Sequence, residues 1–184
     1  MASRGLLRRV LARYTDAEPA QLRFELGVHG KPALGSEFGD GALRFNLSHS
    51  HELLLCAVSR QRRVGVDVEL VRPLPAIDRM ASRIMSHTEA AAWQALPAEH
   101  RVAAFFSTWT RKEALIKGQG QRLAAAFARV DVTLAAGQQA VSVSGQDDQP
   151  AWLIYPLSVA ADYAGAVAIE ETEPVLEWHS YHLM

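Results

Sequence analysis

Three acidic residues and one lysine frame the chemistry open to this sequence. Asp67 and Glu69 stand two apart in Val64-Gly65-Val66-Asp67-Val68-Glu69. Residues two apart on a strand point the same way, so both carboxylates leave one face. Like charges that close repel, and a cation relieves the repulsion. Hard carboxylate oxygens suit Mg²⁺, which keeps its other positions for water and phosphate. A solvated acidic strand face is the alternative. Glu113 lies in a row with Phe105, Trp109 and Lys117 at helical spacing four. An ordinary Glu–Lys helix pair is worth only ~0.2–0.5 kcal/mol. A solvated face rarely begins with Phe and Trp, however, so this carboxylate is expected to look into a cleft. There it could complete a three-carboxylate metal site or act as a base.

Further candidates are weaker taken singly. His49 between Ser48 and Ser50 suits a phosphate or a ribose hydroxyl, and a structural histidine is the alternative. His49 and His51 lack the nearby third and fourth ligands a zinc site needs. Ser48, His49 and Asp67 could be arranged as a hydrolytic triad, but no Gly-x-Ser-x-Gly elbow supports one. Lys31, stiffened by Pro32, could hold a phosphate as a point charge or lie in a solvated loop. Arg4, Arg8, Arg9 and Arg13 line one helix with no acidic residue before Asp16, which leaves room for an anion.

The elements that must position these groups read as follows. Leu6, Leu7, Val10, Leu11 and Tyr14 predict a helix over 4–14. Leu22 to Leu26 predicts a short strand, and the Gly-rich stretch 27–41 a loop. Leu43–Leu47 and Leu53–Val58 predict a hairpin-like pair, followed by a strand over Val64–Leu70. Pro73 and Pro75 mark a connection. Ser86-His87-Thr88-Glu89 spells a capping box, opening a helix with Trp93 and Leu96. A second helix runs from Pro97 towards Lys117 and stops at Gly118 and Gly120. Because Gly118-Gln119-Gly120 follows a helix, it reads as a C-cap, not a phosphate loop. Strands are expected at 130–134, 141–143, 152–157 and 165–170. The organisation is then 1–72, an N-terminal half, 73–170, a C-terminal half, and 171–184, a tail.

Composition narrows the class. The chain has 184 residues, 49% hydrophobic and 21% charged, which is ordinary for a globular domain. Nineteen Lys and Arg against twenty Asp and Glu give a net charge of −1. A bulk nucleic-acid binder would carry a basic excess. Cys56 is the sole cysteine, so no internal disulfide can form, and a reducing cytoplasmic setting is expected. No apolar run approaches the ~20 residues needed to span a bilayer, and Met1–Arg9 lacks the core of a secretion signal.

Four segments in order resemble the 4′-phosphopantetheinyl transferase superfamily, in its larger single-chain, surfactin-synthetase-activating type. They are Gly30-Lys31-Pro32, Phe45-Asn46-Leu47-Ser48-His49-Ser50, Val64 to Glu69, and Phe106 through Trp109-Thr110-Arg111-Lys112-Glu113-Ala114-Leu115-Ile116-Lys117. The resemblance implies an enzyme that moves the phosphopantetheine arm of coenzyme A onto a serine of a carrier protein, leaving 3′,5′-ADP. It implies Mg²⁺, or Mn²⁺, held by Asp67, Glu69 and Glu113. Glu113 would take the serine proton, and Lys117 would favour the departing nucleotide. Arg4, Arg8, Lys31, Ser48 and His49 would contact coenzyme A. It further implies an α+β fold, a pseudo-dimer of two similar α/β halves with the site between them, acting as a monomer. The first half is expected to be shortened at its N-terminus. Fatty acid, polyketide and nonribosomal peptide carriers all remain open. A non-catalytic coenzyme A binder and a metal-dependent phosphohydrolase are the other readings.

Overall fold

Period-two and period-3.6 hydrophobic patterns place most elements where the sequence predicts them, and a computed structural model shows how they pack. It describes residues 2–27, 30–38, 41–121, 127, 130–133, 140–143, 150–170, 177 and 179. The expected tail over 171–184 lies outside the described residues, apart from 177 and 179.

Helix α1 (Ala2–Ala12) buries Leu7, Val10 and Leu11. Strands β1 (Phe24–Leu26) and β2 (Pro32–Leu34) form an antiparallel hairpin. The stretch 27–41 is therefore not all loop: extended geometry around Pro32 lets three residues pair with β1. Strands β3 (Leu43–Ser50) and β4 (Leu53–Arg60) make the expected second hairpin, turning at His51 with φ 52°. Leu7, Leu11, Leu22, Leu34, Leu43 and Phe45 form the core between α1 and these hairpins.

Strand β5 (Val64–Leu70) pairs antiparallel with a later strand, β8 (Tyr163–Glu170). Next come α2 (Ile77–Ile84), α3 (His87–Gln94) and the long α4 (Ala98–Gln119). Strands β6 (Val141–Val143) and β7 (Trp152–Leu157) complete a four-stranded antiparallel sheet in the order β5-β8-β7-β6. Backbone pairing thus makes β5 the edge of a sheet whose other strands lie within 141–170.

Helix α4 lies across this sheet, with Ala114 and Leu115 packed against Trp152, Ile154, Ala166 and Ala168. On its other side, Phe105, Phe106 and Ile116 meet Ala81, Ile84 and Trp93 from α2 and α3. Helix α2 was not anticipated, because the prolines before it masked its short apolar stripe. The capping box at α3 is present in both directions, between Ser86 and Glu89. Gly118 lies inside α4, and Gly120 closes the helix with φ 69°. Only Gly120 supplies the left-handed cap; Gly118 serves packing. Residues 130–133 form no strand, and Leu134 lies outside the described residues.

A buried ionic knot replaces that expected strand. Lys112, 1% exposed, donates to the carbonyls of Ile84, Phe127 and Val130 and contacts Glu89 Oε2 at 2.6 Å. Glu89 Oε1 accepts from Val132 N at 2.8 Å. Arg111 donates to the Val132 carbonyl at 2.6 Å. These side chains take up backbone groups that a β ladder would otherwise satisfy. They also tie α2, α3, Phe127, Val130 and Val132 to α4 one residue before Glu113.

Candidate active site

Alternation on β5 sends Val64, Val66 and Val68 into the protein and Gly65, Asp67 and Glu69 to the side facing α4. Close approach of helix and strand depends on glycine. A Cβ on Gly65 would stand 2.0 Å from the Ala114 carbonyl oxygen and 2.3 Å from Gly118 N. Gly118 in turn meets the Trp152 ring. With both side chains absent, the last turns of α4 settle onto the β5 backbone, and Glu113 and Lys117 come to face Asp67.

Lys117 Nζ stands 2.6 Å from Asp67 Oδ1 and 3.8 Å from Glu113 Oε2. Ser48 donates to the same Asp67 Oδ1 at 2.7 Å, and Lys117 donates to Ser48 Oγ at 3.2 Å. Asp67 is 2% exposed, and its other oxygen, Oδ2, is buried without a hydrogen-bond partner among the described residues. Burial pushes the Asp67 carboxyl up from the ordinary range. Lys117 and Ser48 oppose that rise, and Glu69 adds to it. Glu113, 5% exposed, is pushed up to about 7, first by burial and then by the Asp67 charge.

The expected aromatic row runs from the core to this cleft. Trp109 stacks between Phe105 and Phe127, with ring centroids 6.1 and 5.2 Å away. Its aromatic end anchors α4 and its charged end reaches Asp67.

Strand β3 supplies a wall that the sequence shows only as alternation. Among the described residues, β5 has no strand partner on this side. Instead Asn46 Oδ1 accepts from Val66 N at 2.9 Å, Ser48 Oγ from Val68 N at 3.4 Å and Ser50 Oγ from Leu70 N at 3.1 Å. Ser50 also donates to Glu69 Oε2 at 2.9 Å. Each serine therefore steadies the strand edge and aims a carboxylate. Asn46 and Ser50 escaped the functional reading; their signal was the period of two through Asn46, Ser48 and Ser50. His49 takes the opposite face of β3 and is exposed.

The remaining basic candidates are engaged elsewhere. Arg8 donates to the carbonyls of Pro19, Ala20 and Leu22 at 2.9, 3.4 and 2.5 Å, and its guanidinium lies 5.2 Å from the Phe24 ring centre. Lys31 donates to three backbone carbonyls beside the end of α4. It lines a cleft of about 310 Å³ with Arg44, Arg63, Gly118 and Gly120. The Arg4 side chain lies outside the described residues.

Would these residues suit a divalent cation? Three carboxylates against one ammonium leave negative charge over, and Asp67 Oδ2 is a buried hard oxygen with no hydrogen-bond partner among the described residues. The donor chemistry fits Mg²⁺. Among the described residues, no three of His, Cys, Asp or Glu already converge as a ligand set. The reason is visible: Lys117 stands between Asp67 and Glu113, and Ser50 holds Glu69.

Residues 63–168 match the 4'-phosphopantetheinyl transferase superfamily. The chain is 36% identical to the 4'-phosphopantetheinyl transferase HetI of a Nostoc species, over 91% of this chain and 69% of that protein. It is 29% identical to the transferase Sfp of Bacillus subtilis, over 88% of this chain and 69% of Sfp. AcpT of Salmonella typhimurium is 41% identical over 51% of this chain and 47% of its own length. The chain thus spans about two thirds of HetI and Sfp and about half of AcpT. The crystal structure of Thermotoga maritima holo-[acyl-carrier-protein] synthase gives a TM-score of 0.43 at 19% identity, covering 60% of this chain and 63% of that one. The chain belongs to the 4'-phosphopantetheinyl transferase superfamily, and its fold is a mixed α/β one. No helix among the described residues is long and apolar enough to cross a membrane.

Proposed function

We propose that this protein transfers the 4′-phosphopantetheine group of coenzyme A to a serine of an acyl or peptidyl carrier protein, releasing 3′,5′-ADP. Family membership supports the reaction class. The observation that carries the site is the buried Asp67–Lys117–Glu113 cluster with its unpartnered Asp67 Oδ2.

In this reading the serine Oγ forms a bond to the β-phosphorus as the bond from that phosphorus to the 3′,5′-ADP oxygen breaks. Glu113, with its carboxyl near 7, accepts the serine proton, directly or through a water. Lys117 stabilises the negative charge that develops on the departing nucleotide. Asp67, Glu69 and Glu113 would hold Mg²⁺ or Mn²⁺, which supplies charge neutralisation for the diphosphate when bound. Ser48 and Ser50 hold Asp67 and Glu69 in direction. Ser48 faces the cluster from β3, His49 stands on the exposed face of the same strand, and Arg4 lies on the first helix; they would contact coenzyme A.

The reading extends to architecture and setting. The helix-then-strands order occurs twice, which supports a pseudo-dimer with a site between its halves. The chain supplies both β5 and α4 to that site, which supports a monomer. Coenzyme A chemistry and a free Cys56 both suit the cytoplasm.

The test is incubation with apo carrier proteins, coenzyme A and Mg²⁺, read by mass spectrometry. A gain of one phosphopantetheine on the carrier serine is expected. No gain on carriers of the fatty acid, polyketide and nonribosomal peptide types would overturn the reading. Release of phosphopantetheine with the carrier omitted would point to a phosphohydrolase instead.

A further inference from the structure

Lys31 offers a cation to the cleft, yet its ammonium is fully engaged. It donates to the carbonyls of Val64 at 3.1 Å, Lys117 at 2.7 Å and Gly118 at 3.3 Å. An ammonium has three N–H donors, so each one is used. Two of the acceptors belong to the last turn of α4, where carbonyls lack intrahelical partners and the helix dipole is negative. The third belongs to the first residue of β5. These oxygens converge because Gly65 and Gly118 let strand and helix touch.

The helix end is otherwise lightly held. Gly120 N donates to the Ile116 and Lys117 carbonyls, and Gln121 N to that of Ile116. Among the described bonds, the Gly118 carbonyl is held through Lys31. This same turn carries the side chain that bridges Asp67 and Glu113.

We propose that Lys31 is a positioning residue that clamps the last turn of α4 to the start of β5 and thereby holds Lys117 against Asp67. It acts through the helix end and does not bind the phosphates of coenzyme A. Burial, with Arg63 and Arg44 nearby, lowers the Lys31 ammonium to about 8, which still leaves it protonated at neutral pH. Removing the clamp takes the side-chain donor from the Val64 and Gly118 carbonyls, leaves that of Lys117 with Gly120 N alone, and loosens the turn that aims Lys117. The activity arm of the test rests on the transferase reading; the exchange arm does not.

The experiment compares wild type, Lys31→Met and Lys31→Arg. Turnover is measured with coenzyme A and apo carrier, 3′,5′-ADP binding by calorimetry, and amide hydrogen exchange by mass spectrometry. For Lys31→Met we expect kcat to fall at least tenfold, with KM for coenzyme A and Kd for 3′,5′-ADP within twofold of wild type. Exchange in peptides covering 116–121 should quicken at least tenfold, while β7 and β8 keep their protection. Lys31→Arg keeps the charge, but its larger planar guanidinium does not fit where the compact ammonium sits between the close-packed end of α4 and β5, so 116–121 should still exchange faster. A tenfold rise in Kd for 3′,5′-ADP with unaltered exchange would overturn the proposal in favour of a phosphate ligand. Wild-type exchange in Lys31→Arg would overturn it as well, and it decides the matter if Lys31→Met does not fold. If wild type transfers nothing, the transferase reading fails while the exchange arm still judges the clamp.

Discussion

Glu113→Gln should separate stability from activity in a pH-dependent way. The Glu113 side chain is buried, and its carboxyl is raised from 4.5 to about 7, mainly by burial and next by Asp67. A carboxyl raised in the folded state favours folding below its unfolded value and opposes it as pH climbs through the folded value. One pH unit of difference corresponds to about 1.4 kcal/mol. The ionised glutamate therefore costs the metal-free fold ~3 kcal/mol at pH 8.5 and ~1 kcal/mol at pH 5. Glutamine has the shape of the protonated acid without its ionisation, and titrating groups outside the Asp67–Glu69–Lys117 cluster cancel in the comparison. Urea denaturation of both proteins, with divalent ions chelated, measures the difference. Glu113→Gln is expected to be the more stable by ~3 kcal/mol at pH 8.5, narrowing to ~1 kcal/mol at pH 5. For a chain of this size the gap at pH 8.5 corresponds to roughly 6–12 °C in Tm. Transfer to a carrier protein should be abolished. A stability difference that ignores pH, or a less stable Glu113→Gln at pH 8.5, would refute the assignment of a strained, buried carboxylate.

Three further outcomes follow from the same geometry. Gly65→Ala drives a Cβ into the backbone of α4, so stability should fall by about 1–3 kcal/mol or more in urea and transfer should fall with it. Lys112→Met leaves Glu89 buried without its partner, an imbalance worth about 3–5 kcal/mol, visible as a lowered urea midpoint at pH 7. Mg²⁺ in hundredfold excess over its Kd should stabilise wild type by about 2.7 kcal/mol in thermal melts. Asp67→Asn should lose most of that gain and, like Glu113→Ala, should lose transfer.

Local pattern carried much of the fold. The Val64-Val66-Val68 alternation, the Ser86–Glu89 capping box and the Phe105 to Lys117 row each state a period or an end signal within a few residues. Helix α2 and the strand β2 were harder to see, because their short stretches sit among prolines and glycines. Residues 130–134 read as a strand for their β-branched residues, yet Glu89, Arg111 and Lys112 claim the backbone groups of Val130 and Val132 from distant positions.

The candidate site divides in the same way. The sequence by itself determined which groups could do chemistry: Asp67 and Glu69 share a strand face, and Glu113 and Lys117 share a helix row. Those relations need only a period of two and a turn of 3.6. It could not decide that β5 pairs with β8, or that Asn46, Ser48 and Ser50 replace a backbone partner along its free edge. Nor could it foresee that Arg8 and Lys31 would spend their charges on carbonyls. These side-chain contacts join residues 11 to 87 positions apart, and no local pattern encodes them. Tertiary packing alone lets α4 settle on Gly65, and that close approach turns separate carboxylates into one buried, mutually perturbed cluster.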